Sequence, residues 1–408
     1  MLRPKKGKQT GTVKKANPCV FMILRIIFKP VLYLLYNFKF NMESSKNIKP
    51  PCLILANHQT GFDQFAVGVG FNFGINYVSS DTLFRYGLKS WIMKALGRPI
   101  PFSKGNSDLR AVRNMLSVIK NGGCVGMFPS GNRSFYGEES TIVKGIGKLA
   151  KMFNVPLVLV RVWGGFFTKP RWSIKISKGK MGADVVRVVS PEEITQMADA
   201  ELKELIQKEL YHDDFEYNRK AEIVYHGKRK TEYLESVLFY CPECGSISGL
   251  CSEGNEFFCR DCGARVRLGD TGFFEKINNA EKIPETILEW SHRQLDYIKG
   301  FDFTGYTENS VFCDTDVTLS RAERAKKEYL LGKGSIKFYA DRFNVCGQDF
   351  YFAETTMAVQ GVRKLTIYNG KDVYAVEAQP RTNLMKYMIC GYHLRNKILN
   401  IGEEYYGY

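Results

Sequence analysis

The chain has 408 residues, 44% of them hydrophobic and 13% aromatic, with a formal charge of +16. That is enough apolar material for two or three domains with their own cores, and it excludes a disordered chain. The positive excess suits an anionic partner, either a phospholipid surface or nucleic acid.

Residues 1–40 form a basic and apolar leading segment. Val20 to Phe38 is apolar but interrupted by Arg25, Lys29 and Pro30. A spanning helix wants about twenty mostly apolar residues without central charges. Phe21, Ile23, Leu24, Ile27 and Phe28 instead suit one side of an interfacial helix, with the basic run Arg3 to Lys15 against lipid headgroups. A core helix packed on the next domain is the alternative. The segment has no small-residue cleavage site, and eleven cysteines without a secretory signal indicate a reducing, cytosolic compartment.

From residue 41 to 212 short apolar runs alternate with amphipathic ones. Cys52 to Ala56 and Ile75 to Ser79 read as strands, and Trp91 to Leu96 as part of a short helix. Ser107-Asp108 caps a helix running to about Lys120, which Asn121-Gly122-Gly123 ends. Cys124 to Met127 is a strand, Ile142 to Phe153 a helix and Val155 to Val162 a strand. Arg171 to Ser177 and Val185 to Val189 read as further strands, and Pro191 to Tyr211 as a helix. This is an α/β domain with a largely buried sheet.

Two loops carry the chemistry. Asn57-His58-Gln59-Thr60-Gly61-Phe62-Asp63 follows the first strand. A neutral imidazole there takes a proton from a hydroxyl, and a carboxylate five residues on holds its tautomer. His58 is the only histidine before residue 212; Asp81 and Asp108 stay open beside Asp63 as its carboxylate partner. Phe128-Pro129-Ser130-Gly131-Asn132-Arg133-Ser134 follows the strand Cys124 to Met127.

Together these blocks resemble the glycerophospholipid acyltransferase family, which acylates lysophosphatidic acid and related acceptors. His58 and Asp63 match its His-x4-Asp motif, and Phe128 to Ser134 matches its Phe-Pro-Glu-Gly-x-Arg-Ser motif except at Ser130. Gly97 to Lys104 resembles the second block loosely, and Val155 to Val160 approximates the fourth. The resemblance covers roughly residues 20 to 210. It implies that His58 is the general base and that Asp63 orients it. Lys104, Ser130, Gly131 and Arg133 would form the acceptor site, with the Arg133 fork on a phosphate. Ser130, standing where the family has Glu, removes a negative charge beside Arg133. The expected pocket is therefore more electropositive than the family norm and tolerates a more highly charged headgroup.

The polar stretch 213–235 reads as a linker. Cys241-x-x-Cys244 and Cys259-x-x-Cys262 lie fourteen residues apart, each followed by Gly. Two thiolate pairs on tight turns give a closed four-cysteine zinc ribbon over 236–270, with Cys251 a spectator. Residues 284–408 begin with a helix from Pro284 to Ile298. Six β runs follow: Gly334 to Tyr339, Arg342 to Val345, Asp349 to Phe352, Thr356 to Gln360, Lys364 to Asn369 and Asp372 to Glu377. A helix from Thr382 to Ile401 closes this β-rich domain, a pattern that resembles a small pleckstrin-homology-like barrel.

The expected function is acyl transfer from acyl-CoA or an acyl-carrier protein to a hydroxyl of a lysolipid, by default lysophosphatidic acid. The expected site is the cytoplasmic face of the cell membrane, on an anionic phospholipid surface and with one structural Zn2+. Nucleic acid is not the expected partner. The alternatives are a different acceptor, or a non-enzymatic zinc-ribbon protein that binds nucleic acid or protein.

Overall fold

The computed structural model describes residues 13–41, 45–80, 97–102, 108–322 and 328–402. Lys104, Asp81, the helix expected at Trp91 to Leu96 and most of the basic run Arg3 to Lys15 lie outside them.

Helix α1 (Pro18–Tyr36) begins where Asn17 accepts from the amides of Cys19 and Val20, with Pro18 in the first position. It ends at Asn37, which takes left-handed backbone at φ 43°. Leu32 and Tyr36 are buried, Phe28 stacks on Phe65 at 4.0 Å, and Arg25 Nε donates to the Val69 carbonyl at 3.0 Å. Ile23, Ile26, Ile27 and Leu34 are each more than half exposed. The expected single apolar side is thus divided: Phe21, Leu24 and Phe28 line a cavity, while Ile23 and Ile27 face outward. Apart from Arg25 and Lys29, the helix is apolar on both its inner and its outer side. Its 19 residues and mean hydropathy of 1.9 make it long and apolar enough to cross a membrane, by length and composition.

The following elements are β1 (Lys39–Phe40), β2 (Leu53–Ala56), α2 (Asp63–Gly68), β3 (Ile75–Ser80), β4 (Ile100–Phe102) and α3 (Leu109–Lys120). Then come β5 (Cys124–Met127), α4 (Ile146–Phe153), β6 (Leu157–Trp163), α5 (Gly165–Thr168) and β7 (Gly182–Val189). The strands form a mixed sheet in the order β1-β7-β6-β2-β5-β3-β4. β2 is buried at every position and runs parallel to both β5 and β6; β7 is antiparallel to β6. Parallel neighbours end at the same edge, so the loops leaving β2 and β5 emerge side by side. Those loops carry His58 and Arg133.

Arg171 to Ser177, expected as a strand, is a loop. The amides of Ser173 and Ser177 turn back to the carbonyls of Pro170 and Thr168 at 3.2 and 2.9 Å. The single helix expected from Pro191 to Tyr211 is two, α6 (Pro191–Gln196) and α7 (Asp199–Leu210), because Met197 and Ala198 take extended ψ of 151° and 158°. The stretch expected as a linker holds α8 (Asp214–Ala221), capped by Asp213, and buries Phe215, Tyr225 and Leu234.

Strands β8 (Leu250–Glu253), β9 (Glu256–Cys259), β10 (Arg265–Leu268) and β11 (Phe274–Asn278) make an antiparallel ribbon in the order β11-β10-β9-β8. Helix α9 (Ile287–Gly300) sets Trp290 edge-on against Phe257 and Phe274 at 5.2 and 5.6 Å.

The last sheet contains β12 (Phe312–Ala322), β13 (Tyr329–Phe338), β14 (Arg342–Val345) and β15 (Gln348–Tyr351), followed by β16 (Thr355–Gln360), β17 (Lys364–Asn369) and β18 (Asp372–Glu377). All are antiparallel, in the order β15-β14-β13-β12-β18-β17-β16. The central strand β12 escapes the sequence pattern because its run is polar and alternates only at Val317 and Leu319, both buried. Helix α10 (Leu384–Ile398) is anchored on β16 through Tyr392, whose hydroxyl bonds the amide and carbonyl of Met357 at 2.9 and 2.8 Å. One apolar cluster runs from Phe135, Phe166 and Trp172 through the ribbon into this sheet.

Candidate active site

Asp63 is the first residue of α2 and fully buried. Its Oδ2 accepts from the amides of Gln59 and Thr60 at 2.6 and 2.9 Å, and its Oδ1 accepts from Thr60 Oγ1 at 2.6 Å. Three donors at the N-terminal end of α2 surround its carboxylate. Oδ2 also lies 2.7 Å from His58 Nδ1. Since an ionised Asp63 only accepts, Nδ1 carries the hydrogen and Nε2 is the free base. The His58 ring stacks on Phe128 at 4.2 Å, and Tyr77 stacks behind Phe128 at 6.0 Å. Asp108, the other described candidate for partner, instead caps α3 by accepting from Arg110 and Ala111.

Burial lowers the His58 pKa below the ordinary imidazole value. Asp63 opposes this, and the Arg133 and Arg171 charges reinforce it. The base is therefore neutral at pH 7. Its side chain is 19% exposed, at the wall of a cavity of about 1100 Å³. Leu24, Phe28, Phe65, Val112, Met115 and Leu149 give that cavity an apolar wall; His58, Gly61, Gly131 and Arg133 give it a polar one.

Gly131 makes the turn after β5, with φ +70° and its amide bonded to the Phe128 carbonyl at 3.0 Å. The Ser134 amide donates to the His58 carbonyl at 2.8 Å, stitching the two loops together. Arg133 is thereby brought over Gly61, where a β-carbon would stand 3.5 Å from Nη1. Burial and the neighbouring Arg133 and Lys175 lower the pKa of Lys169, a further cation near Arg133. Ser130 is buried and absent from the cavity wall; its hydroxyl donates to the Asn132 carbonyl at 3.1 Å.

Three residues here escape the sequence reading. Glu139 is buried, and its Oε2 accepts the His58 amide at 3.0 Å. Arg171 donates to the carbonyls of Arg133 and Val359 and lies 3.5 Å over the Phe135 ring. Lys169 is the third. None belongs to a motif, and each arrives through a loop whose path the local sequence does not encode. A second histidine–carboxylate pair, His212 and Asp214 at 2.9 Å, is buried elsewhere, and Asp214 also accepts the amides of Gly164 and Phe166. It fastens α5.

In the ribbon, Cys241 and Cys259 each open a tight turn. Gly245 and Gly263, at φ +77° and +75°, return their amides to the carbonyls of Cys241 and Cys259. The four sulfurs of Cys241, Cys244, Cys259 and Cys262 lie within 4.8 Å of one another, with Cys241–Cys262 and Cys244–Cys259 both at 3.8 Å. Tetrahedral Zn–S bonds of about 2.3 Å put neighbouring sulfurs about 3.8 Å apart, so the donor set fits that ion. Cys251, on β8, is outside the cluster.

Residues 39–163 match a family model described as Acyltransferase. The chain is 27% identical over 167 residues to a 1-acyl-sn-glycerol-3-phosphate acyltransferase of Bacillus subtilis, covering 38% of this chain and 81% of that protein. A 1-acyl-sn-glycerol-3-phosphate acyltransferase of Saccharomyces cerevisiae is 25% identical over 189 residues, covering 45% and 62%. For the chloroplast enzyme BAT2 of Brassica napus the values are 24% over 124 residues, covering 30% and 36%. The crystal structure of the 1-acyl-sn-glycerophosphate acyltransferase PlsC of Thermotoga maritima aligns with a TM-score of 0.41 at 20% identity, over 46% of this chain and 75% of that one. Within the N-terminal half, residues 39–163 thus match an acyltransferase domain, and the chain is related at low identity to proteins named 1-acyl-sn-glycerol-3-phosphate acyltransferase.

Proposed function

We propose that the protein moves a fatty acyl group from a thioester, acyl-CoA or acyl-carrier protein, to a hydroxyl of a lysophospholipid-like acceptor, by default lysophosphatidic acid. The observation that carries this reading is the His58–Asp63 pair on the wall of an apolar cavity of about 1100 Å³ with Arg133 beside it. The cavity suits an acyl chain, and the guanidinium suits the acceptor's phosphate.

His58 Nε2 takes the proton of the acceptor hydroxyl as its oxygen attacks the thioester carbonyl carbon. The tetrahedral oxyanion collapses, the C–S bond breaks, and the leaving thiolate recovers the proton from Nε2. Asp63 holds the Nδ1 hydrogen throughout and stabilises the transient imidazolium. His58, Asp63, Gly131 and Arg133 keep the roles the resemblance implies. Ser130 serves the loop rather than the cavity, and Lys169 adds a cation for the headgroup.

One structural zinc on the four cysteines closes the ribbon and leaves no open coordination position. The seven-stranded order, with first and last strands paired and a helix following, supports a pleckstrin-homology-like reading of the C-terminal region. The outward isoleucines of α1 support membrane attachment. The loop 169–180 supports it too: Ile174 and Ile176 are 50% and 37% exposed, and Lys178 and Lys180 share a cavity with Leu34 and Leu35. A basic, apolar rim of this kind suits an anionic leaflet.

The test is free-thiol release from acyl-CoA and acyl-carrier protein with a panel of lysolipids, wild type against His58→Ala. Acceptor-dependent release that His58→Ala abolishes is expected. Equal rates would remove His58 as the base, and no acceptor-dependent release would reject the reading.

A further inference from the structure

Glu139 stands where a carboxyl group is least expected. It is 6% exposed and has no ion pair among the described residues, yet it touches the base of the site through the His58 amide. The chain goes out of its way to put it there. Three residues after Ser134, the backbone turns at Gly137 with φ +104°, a conformation that favours glycine, and a β-carbon there would stand 2.7 Å from Phe215. Ser134 Oγ accepts the Gly137 amide at 2.8 Å, and the Glu139 amide donates to the His212 carbonyl at 2.9 Å. The turn is therefore fixed at both ends, and Glu139 comes back beneath His58.

Ser130 lies beside its carboxyl group and, with the His58 amide, opposes the effect of burial on its titration. Ser130 spends its single hydrogen on the Asn132 carbonyl, and Glu139 Oε1 consequently receives no donor. A buried carboxylate oxygen without a donor is costly, but a protonated one is a donor itself. Burial pushes the Glu139 pKa up to about 8, the direction that this arrangement needs. With the proton on Oε1, that oxygen becomes a donor, and Ser130 Oγ, which donates to Asn132, has lone pairs left to accept it.

We infer that Glu139 and Ser130 together replace the carboxyl group that the Phe128–Ser134 motif lacks, with Glu139 as a positioning residue that fixes the His58 backbone against the Arg133 loop. This rests on the acyltransferase reading for its consequence in catalysis, though not for its geometry. On this reading a carboxyl group is supplied from nine residues downstream, and as a neutral acid it adds no negative charge beside Arg133. A glutamate at position 130 would crowd the buried Glu139 and remove the hydroxyl that donates to the Asn132 carbonyl.

The experiment is a relocation. Glu139→Ala should lower kcat about tenfold or more with little change in acceptor KM, because a base displaced by a fraction of an ångström loses alignment rather than binding. Glu139→Gln, which can still accept from His58 and donate to Ser130, should stay within about threefold of wild type. Ser130→Glu alone should be impaired, and Ser130→Glu combined with Glu139→Ala should recover most of the activity, a coupling that two independent structural defects would not give. Should Glu139→Ala not fold, Glu139→Met keeps the side-chain volume and carries the same comparison. The His58 ring signals in NMR spectra of each full-length variant supply a readout without turnover. They should move in Glu139→Ala and return in the double variant. A Glu139→Ala enzyme within twofold of wild type, or a double variant no better than either single one, overturns the proposal. If the wild type releases no thiol, the acyltransferase reading fails by itself, and unchanged His58 signals in Glu139→Ala would then overturn the positioning role.

Discussion

Arg171 donates from Nη1 to the carbonyl oxygen of Arg133 at 3.0 Å, so that one partly buried cation holds the backbone of another. Its Nη2 donates at the same distance to Val359 on β16, and the guanidinium lies over Phe135. Burial, and then the charge of Arg133, lowers its pKa well below the usual arginine range. The C-terminal sheet is thereby fastened to the loop that presents the proposed phosphate ligand. Arg171→Leu removes two charge-assisted hydrogen bonds and should cost about 3 kcal/mol of stability while raising acceptor KM. Arg171→Lys should not rescue it, because the ammonium lacks the planar fork that reaches two carbonyls from separate nitrogens. A urea midpoint and a KM both unchanged in Arg171→Leu would show that the clamp does nothing.

The pH dependence follows from a His58 that titrates below the ordinary imidazole value. Thiol release should be level at neutral pH and fall on the acid side with an apparent pKa under about 6.5. Asp63→Asn removes the influence that raises the His58 pKa, so the remaining acid limb should move further down, at a rate reduced by about 10³–10⁴. Stability carries the same sign. The unfolded chain binds a proton more readily than folded His58, so this contribution is present above the unfolded pKa and lost as pH falls through the folded one. His58→Gln should lessen the acid loss of stability in thermal scans between about pH 6.5 and 5. An acid limb centred above pH 7 would contradict the burial argument.

Metal analysis of protein purified without chelator should find one zinc per chain, with Cys241, Cys244, Cys259 and Cys262 unreactive toward thiol reagents. Cys251→Ser should leave that stoichiometry intact, since its sulfur lies outside the cluster. Cys259→Ser should lose the metal. Because Phe257 and Cys259 belong to the apolar cluster shared with the C-terminal sheet, the damage should spread beyond the ribbon. Full thiol reactivity in native protein would reject the site.

Vesicle binding should depend on the loop 169–180 as well as on α1. Ile174→Ser with Ile176→Ser should weaken sedimentation with phosphatidylglycerol-rich vesicles by roughly tenfold, from lost apolar burial. Lys178→Glu with Lys180→Glu should remove the preference for those vesicles over phosphatidylcholine ones, and added salt should do the same to wild type. Binding that ignores all four changes would leave α1 alone in this role.

The sequence by itself determined the parts of this protein whose chemistry is local. A histidine and an aspartate five residues apart, at a strand end and a helix start, close a 2.7 Å contact without help from distant chain. Two Cys-x-x-Cys-Gly turns make two halves of a donor set in the same way. Buried parallel strands such as Leu53–Ala56 announce themselves by an unbroken apolar run. What only the tertiary structure decided was every relationship that crosses the chain. Strand order brought His58 beside Arg133. A glycine turn returned Glu139 under the base. A loop with the composition of a strand became the arm that carries Lys169 and Arg171, and a polar stretch with the composition of a linker became packed core. The polar central strand β12 was hidden because pairing with β13 and β18, not its own pattern, places it in the sheet. Helix α1 divides its apolar residues between a cavity and the outside according to what it packs against, and hydropathy alone does not contain that information.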